Sequence, residues 1–129
     1  MKLPAQGSCQ KRTGSAFSMG VVAALDSLDI DGELTACQRV SDDGNANTRF
    51  SCAGCGNIIY GTGDTNPDLA KLRSGLLEDT SDVAPGVHMW VCRKQPWVVL
   101  PPGVPTFDTR PEDGLALLQA ALDYRASRN

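Results

Sequence analysis

Histidine, blocks of basic residues and long apolar runs are what this sequence has least of. His88 is its one histidine and lies in a strand-like pattern, so no Ser-His-Asp triad is expected around it and a structural role is favoured. The formal net charge is −3 and no basic block is present, which argues against a surface that holds nucleic-acid phosphates. No apolar run reaches the length of a membrane span or follows residues 1–4 as a signal core. The sequence therefore predicts a cytoplasmic protein with neither nucleic acid nor a membrane as partner.

The length and the cysteine count set further limits. The 129 residues suffice for one domain, since a domain of this size buries about two-thirds of the surface that its unfolded chain exposes. No repeat or linker divides the chain, so a single domain over 1–129 is predicted, with 1–8 poorly ordered. Five cysteines without a secretory signal predict free or metal-bound thiols. Because the carboxylates show no paired-acid pattern, any chemistry is expected from thiols and a metal.

The stretch with the clearest chemical pattern is 49–60, where Cys52 and Cys55 form a Cys-x-x-Cys followed by Gly56. Two thiolates at this spacing can face one ion across a tight turn, and glycine tolerates the left-handed backbone of such turns. β-Branched and aromatic neighbours predict a hairpin with both sulfurs at its tip. Two other interpretations stay open, namely structural thiols in a turn and a redox pair, which needs a helix opening at the motif. A zinc knuckle is favoured, although one Cys-x-x-Cys supplies only half a site.

Most of the chain has the pattern of short strands separated by polar turns. A strand is predicted at 17–24. Residues 26–32 then alternate acidic and apolar side chains and close on Asp31-Gly32, a hairpin signal that predicts a returning strand at 33–40, with Cys37 half-buried. Residues 69–77 fit a helix by their leucine spacing and a strand by their charges and glycine, so they stay ambiguous. The other predicted segments are a helical turn at 9–12 ended by Thr13-Gly14, strands at 87–93 and 97–100, a polar turn at 41–47, a loop at 61–68 and a proline-rich loop at 101–105.

The C-terminal tail changes to helical periodicity. Thr109 and Glu112 have the spacing of a capping box. An apolar stripe of Leu115, Leu118 and Leu122 follows, which predicts an amphipathic helix at 111–125 with its stripe packed on the sheet. The expected fold class is therefore mainly β with a C-terminal α-helix.

Five short blocks in order resemble the glutathione-dependent formaldehyde-activating (GFA) family, also called the CENP-V/GFA domain family. Together they extend over about 9–107, which makes the resemblance far more specific than the knuckle alone. It implies a mainly-β, β-tent fold built around zinc, and the joining of formaldehyde to glutathione, classed as a carbon–sulfur lyase activity. The blocks are CQKRTGSAF (9–17), FSCAGCG (50–56), SGLLED (74–79), PGVHMW (85–90) and QPW (95–97).

The resemblance carries only part of the family's two zinc sites onto this chain. Cys52 and Cys55 match the pair that, with an earlier Cys-x-Cys, holds a structural zinc, and that earlier motif has no counterpart here. Cys9 matches the last of three thiolates at the catalytic zinc, and the other two positions hold Pro4 and Gln6. Proline and glutamine do not replace thiolates. Cys9, Cys52 and Cys55 are thus the expected metal ligands, zinc is expected to bind weakly or not at all, and an upstream extension that regains the Cys-x-Cys is expected to add stability.

Two functions follow from these observations. One is a zinc-dependent carbon–sulfur lyase acting on the thiol adduct of a small aldehyde, with Lys11 or Arg12 attracting a glutathione carboxylate. In that case Cys9 is expected to lie near the knuckle hairpin but in a separate site, with Trp97 or His88 lining the adjacent cleft. The other is a non-catalytic zinc-knuckle or metal-free β domain that serves as a binding or interaction module. The missing cysteines favour the second function, and the Cys9 and Trp97 blocks favour the first.

Overall fold

The computed structural model describes residues 9–41 and 44–129. Their backbone groups into two compact units. The sheet unit is Met19–Val83, and the helix unit consists of the described residues 9–18 together with Ala84–Asn129. The expectation for residues 1–8 lies outside the described residues, and a single domain over 1–129 stays a prediction.

The sheet unit contains a five-stranded antiparallel sheet whose spatial order is β1-β5-β4-β3-β2. β2 and β1 form its two edges. Ala70, on an inner strand, is fully buried. The elements are β1 (Gly20–Ala24), a 3-10 helix (Leu25–Ser27), β2 (Leu34–Val40), β3 (Ala46–Cys52), β4 (Ile58–Gly63), β5 (Leu69–Arg73) and a second 3-10 helix (Ser74–Leu76).

The hairpin predicted at Asp31-Gly32, with 33–40 as its returning strand, is wrong, because no strand forms between Ser27 and Leu34. β1 begins at Gly20 and pairs with β5, whereas β2 pairs with β3 along its whole length. The 3-10 helix Leu25–Ser27 turns the chain away before Asp31-Gly32 can close a tight connection. In addition, the amide of Leu25 donates to the carbonyl of Asp68 (2.8 Å), which holds the end of β1 beside the start of β5.

Four other expectations for the sheet unit are corrected or resolved. Residues 61–63, predicted as loop, extend β4, where a Cβ on Gly63 would lie 3.2 Å from Asn47 Oδ1 on β3. The ambiguous stretch 69–77 forms β5 and then the 3-10 helix Ser74–Leu76. Cys37 is exposed rather than half-buried, because β2 is an edge strand. The turn predicted at 41–47 is closed by a bond from the Ser41 amide to the Asn45 carbonyl (2.9 Å), and its residues 42 and 43 lie outside the described part.

The helix unit contains little strand. The strand predicted at 87–93 stops after two residues, because Trp90 adopts a left-handed backbone (φ 59°) and the chain then enters a 3-10 helix. No strand forms at 97–100. The two residues that remain are β6 (His88–Met89), and their unpredicted partner is β7 (Thr106–Phe107), which runs parallel to β6. The elements are α1 (Cys9–Thr13), β6 (His88–Met89), a 3-10 helix (Val91–Arg93), β7 (Thr106–Phe107) and α2 (Gly114–Ser127).

The C-terminal helix is present, but its start and its packed face differ from the prediction. α2 begins at Gly114, and its N-cap is Asp113, whose Oδ1 accepts from the Leu115 amide (2.9 Å), rather than Thr109. Two residues of the predicted packed stripe, Leu115 and Leu122, are 51% and 52% exposed. The half-buried residues of the helix instead include Gly114, Leu117, Leu118, Ala121 and Tyr124, which share one face at spacings of three and four.

The architecture confirms the predicted fold class, which is mainly β with a C-terminal helix. Across 9–41 and 44–129, no helix combines the length and the apolar character needed to cross a membrane.

Candidate functional site

Cys52 and Cys55 lie at the tip of a hairpin, as predicted. Cys52 ends β3, Cys55 lies in the turn, and β4 follows. The turn is closed by two backbone bonds, from Gly56 N to Cys52 O and from Cys52 N to Asn57 O, both 2.9 Å. Gly56 has a φ of 78°, a value that glycine adopts without a Cβ clash. The sequence therefore forms a Cys-x-x-Cys knuckle between two strands.

A pair of aromatic rings supports this hairpin one step below the turn. Phe50 on β3 is paired with Tyr60 on β4, and their rings stack with centroids 4.6 Å apart. The register shifts between Phe50 and Ser51. Such a bulge increases the local twist and re-aims the following side chains. The stack is expected to contribute about 0.5–1.5 kcal/mol to stability beyond the contribution of the area that it buries. It therefore stabilises the two strands next to the knuckle turn.

The knuckle backbone favours the thiolate form of Cys52. The amide of Cys55 and then that of Gly54 donate hydrogen bonds toward the Cys52 sulfur, with a smaller contribution from the Cys55 thiol, and together they lower the pKa of Cys52. Hydrogen bonds to the charged form stabilise it. The thiolate is the form that acts as nucleophile and metal ligand. Cys52 is half-buried and Cys55 is exposed, and both thiols are free.

The donor set of the described residues does not fit a complete zinc site. A structural zinc takes four ligands, and a catalytic zinc takes three protein ligands and an open position. Cys52 and Cys55 supply two sulfurs. Over 9–41 and 44–129, no group of three or more His, Cys, Asp or Glu residues is placed to hold a metal ion.

Cys9, the third expected ligand, begins the short helix α1, as predicted. Thr13 Oγ1 donates to the Cys9 carbonyl (2.8 Å), and the Gly14 amide donates to the Gln10 carbonyl (2.9 Å), where the helix ends. Arg12 Nη2 donates to Cys9 Sγ at 3.4 Å. Cys9 belongs to the helix unit, and Cys52 and Cys55 belong to the sheet unit. Its predicted place near the knuckle stays a prediction.

A solvent-open hollow of about 400 Å³ lies beside α1, within the helix unit. Residues of the 10–16 segment line it together with Gln95 and Trp97. The structure thus brings together Lys11 and Trp97, which the sequence singled out separately. Neither Cys9 nor His88 is among the lining residues.

The two glutamines of this hollow were missed by the sequence analysis. Gln95 Nε2 donates to Gln10 Oε1 (2.7 Å), and Gln10 Nε2 donates to the Arg93 carbonyl (2.9 Å). The available signal was their position, since Gln10 follows Cys9 and Gln95 opens the QPW block. Nothing in either pattern indicates that two side chains 85 residues apart would meet.

His88 lies on β6, where its amide donates to the Pro105 carbonyl (2.9 Å). Its Nε2 is buried and has no hydrogen-bond partner among the described residues. Burial lowers the pKa of His88, because the charged imidazolium loses hydration there. The buried environment of His88 therefore favours its neutral imidazole form.

Comparison with known proteins identifies one family. No curated protein matches the chain. The sequence profile described as "Glutathione-dependent formaldehyde-activating enzyme" (GFA) matches residues 7–93, about two-thirds of the chain. This span includes α1, the knuckle and the whole sheet unit, and the match confirms the predicted resemblance. The chain belongs to the glutathione-dependent formaldehyde-activating enzyme family.

Proposed function

We propose that this protein binds glutathione or another small thiol as its aldehyde adduct, in the cytoplasm, and that its carbon–sulfur lyase activity is impaired. The family name implies joining formaldehyde to glutathione. In that reaction the thiol sulfur adds to the carbonyl carbon, and the carbonyl oxygen takes up a proton. The residues at the family's ligand positions carry the proposal, because Cys9 is accompanied by Pro4 and Gln6 where thiolates are needed.

The cysteines that remain at the family's two zinc positions support the proposal that the lyase activity is impaired. One position retains Cys52 and Cys55, and the other retains Cys9 alone. One thiolate with water binds zinc far more weakly than three, since each missing ligand removes part of the binding free energy. We therefore assign no reaction step to zinc in this chain.

The first experiment measures metal content. Protein purified without a chelator is expected to carry zinc well below one equivalent per chain. Cys52→Ser should lower any residual zinc content. Cys37 is an exposed cysteine on β2, and Cys37→Ser should leave the zinc content unchanged. Stoichiometric zinc that is lost in Cys52→Ser but kept in Cys37→Ser would contradict the incomplete-site proposal.

The second experiment measures activity. The rate of S-hydroxymethylglutathione formation is expected to equal the uncatalysed background, with or without added zinc. A zinc-dependent rate that disappears in Cys9→Ala would show that the site is intact. A rate that survives Cys9→Ala would place the active site away from the family's position.

A second candidate function is a non-catalytic β domain that serves as a binding module. The observation in its favour is that hydrogen bonds of the Gln10 side chain connect the two segments that line the hollow beside α1. The chain keeps this hollow although positions 4 and 6 hold proline and glutamine in place of the family's metal-binding cysteines. Saturable ligand binding without turnover would favour this function over an impaired lyase.

A further inference from the structure

The hollow beside α1 is held by two segments that are far apart in sequence. Both polar atoms of the Gln10 side chain are used, one by Gln95 Nε2 (2.7 Å) and one by the Arg93 carbonyl (2.9 Å). Gln10 therefore connects α1 to the loop that carries Trp97. A side chain with both ends bonded is fixed before any ligand arrives, which reduces the ordering cost of binding.

Trp97 forms an exposed wall of this hollow. The Val98 amide donates to the Gln95 carbonyl (3.0 Å), so residues 95–98 form a turn with Pro96 in its second position, where proline is favoured. Lys94 Nζ donates to the Val98 carbonyl (2.8 Å) and braces the turn. Trp97 is nevertheless 73% exposed. A large exposed indole is a typical contact surface for a ligand with a flat apolar part.

The charge of the lining favours an anion. Among the lining residues that the structure describes, Lys11 is the one cation and none is acidic. Nearby cations have other contacts: Arg12 donates to Cys9 Sγ, and Arg93 lies over the Trp90 ring at 4.7 Å. The volume of about 400 Å³ falls within the range of about 300–1,000 Å³ typical of small-molecule sites. Because the hollow is open to solvent, binding there is expected to be weak.

We propose that this hollow is a binding site for small carboxylates with a flat apolar body, the carboxylate lying at Lys11 and the ring against Trp97. The site needs neither a thiol nor a metal, so it is independent of the lyase proposal. Gln10 and Gln95 are positioning residues in it, since they fix the two segments that carry Lys11 and Trp97.

The experiment uses 3-phenylpropionate as the probe and NMR of the full chain as the readout. Saturable shift changes are expected at the Trp97 indole N–H, with a Kd on the order of millimolar, as suits a small ligand in an open site. The uncharged 3-phenylpropanamide should bind about 1.5-fold to fivefold more weakly, the range expected for one exposed ion pair.

Matched variants separate the two contacts. Lys11→Gln should weaken 3-phenylpropionate about 1.5-fold to fivefold and remove the difference between acid and amide. Lys71→Gln makes the same charge change on β5, outside the lining residues, and should leave both affinities unchanged. Trp97→Leu lacks the indole signal, so its affinities are read from the backbone amide signals of Lys11 and Gln95, two of the lining residues. Both ligands should bind it about threefold to tenfold more weakly through loss of the ring contact, and the unchanged remainder of the spectrum checks its folding.

Three results would overturn the proposal. The first is equal effects of Lys11→Gln and Lys71→Gln. The second is a shift pattern of 3-phenylpropionate that excludes Trp97 and Gln95. The third is glutathione saturating the Trp97 signal at lower concentration than 3-phenylpropionate, which would assign the hollow to a thiol peptide. None of these bears on the rate of S-hydroxymethylglutathione formation, so the two proposals fail separately.

Discussion

At the scale of single residues, Cys52 differs from the other thiols in the bonds its sulfur accepts. The amides of Cys55 and Gly54 point at it and lower its pKa. These donors exist only while the turn is folded, so the effect belongs to the knuckle and not to the amino acid.

The first prediction is that iodoacetamide modifies Cys52 severalfold faster at pH 7 in the folded protein than in urea. A lowered pKa gives a larger thiolate fraction at neutral pH, and the thiolate is the reacting form. Mass spectrometry of peptides after timed labelling measures the rate. In Cys55→Ala the backbone donors remain, so most of the difference should persist, and its complete loss would mean that the amides are not the cause.

The second prediction concerns His88, whose pKa is lowered from 6.5 by burial. Between the folded pKa and 6.5 the unfolded chain binds more protons than the folded one, so the free energy of unfolding falls as the pH drops through that window. Above 6.5 the stability is fully present. Denaturant titrations at several pH values measure the slope.

The variant His88→Gln is expected to remove that slope near pH 6, because no other histidine is present. An NMR titration of the imidazole provides an independent check. A His88 pKa at or above 6.5 would show that the side chain is not buried in solution.

At the scale of secondary-structure elements, α2 is positioned by a close approach to Gly86. A Cβ added at Gly86 would lie 3.2 Å from both the Cβ and the carbonyl oxygen of Ala121. The helix therefore packs against bare backbone at this point, which explains why Ala121 and not Leu122 lies on the packed face.

The third prediction follows from this contact. Gly86→Ala should destabilise the protein by about 1–3 kcal/mol, the usual cost of overpacking, as measured by chemical denaturation. Gly75→Ala is the matched control, because its added Cβ meets nothing within 4 Å. Equal stabilities of Gly86→Ala and Gly75→Ala would contradict the close approach of α2 to Gly86.

The fourth prediction tests where α2 begins. Asp113→Ala should cost about 0.5–2 kcal/mol, as expected for removal of an N-cap, since its carboxylate accepts from the Leu115 amide. Thr109→Ala should cost little, because the N-cap lies at Asp113. Equal losses of stability in the two variants would contradict the N-cap at Asp113 and support the capping box that the sequence predicted at Thr109.

At the scale of the whole molecule, the balance of elements predicts the optical spectrum. Far-UV circular dichroism should be dominated by strand and irregular structure. Five strands form the main sheet, and α2 (Gly114–Ser127) is the one long helix in the described part of the chain. A spectrum dominated by helix would contradict the sheet. Cys52→Ser and Lys11→Gln should leave this spectrum unchanged, which makes it the folding control for both site variants.

The sequence alone determined the features that depend on neighbours within a few residues. The Cys-x-x-Cys-Gly pattern predicted the hairpin tip, because the turn is closed by bonds between Cys52, Gly56 and Asn57. The pattern at 9–14 likewise predicted the first helix, which extends over Cys9–Thr13. In each case the deciding hydrogen bonds connect residues close in sequence, so the local pattern contains the information.

Only the tertiary structure decided the contacts between distant segments. The apolar strand β1 can pair with more than one partner, and its pairing with β5 in place of β2 depends on the whole sheet. The bond between Gln10 and Gln95, and the choice of the helix face that meets Gly86, are likewise set by packing. Such contacts depend on which surfaces the fold brings within a few ångströms, and neither periodicity nor residue type determines that distance.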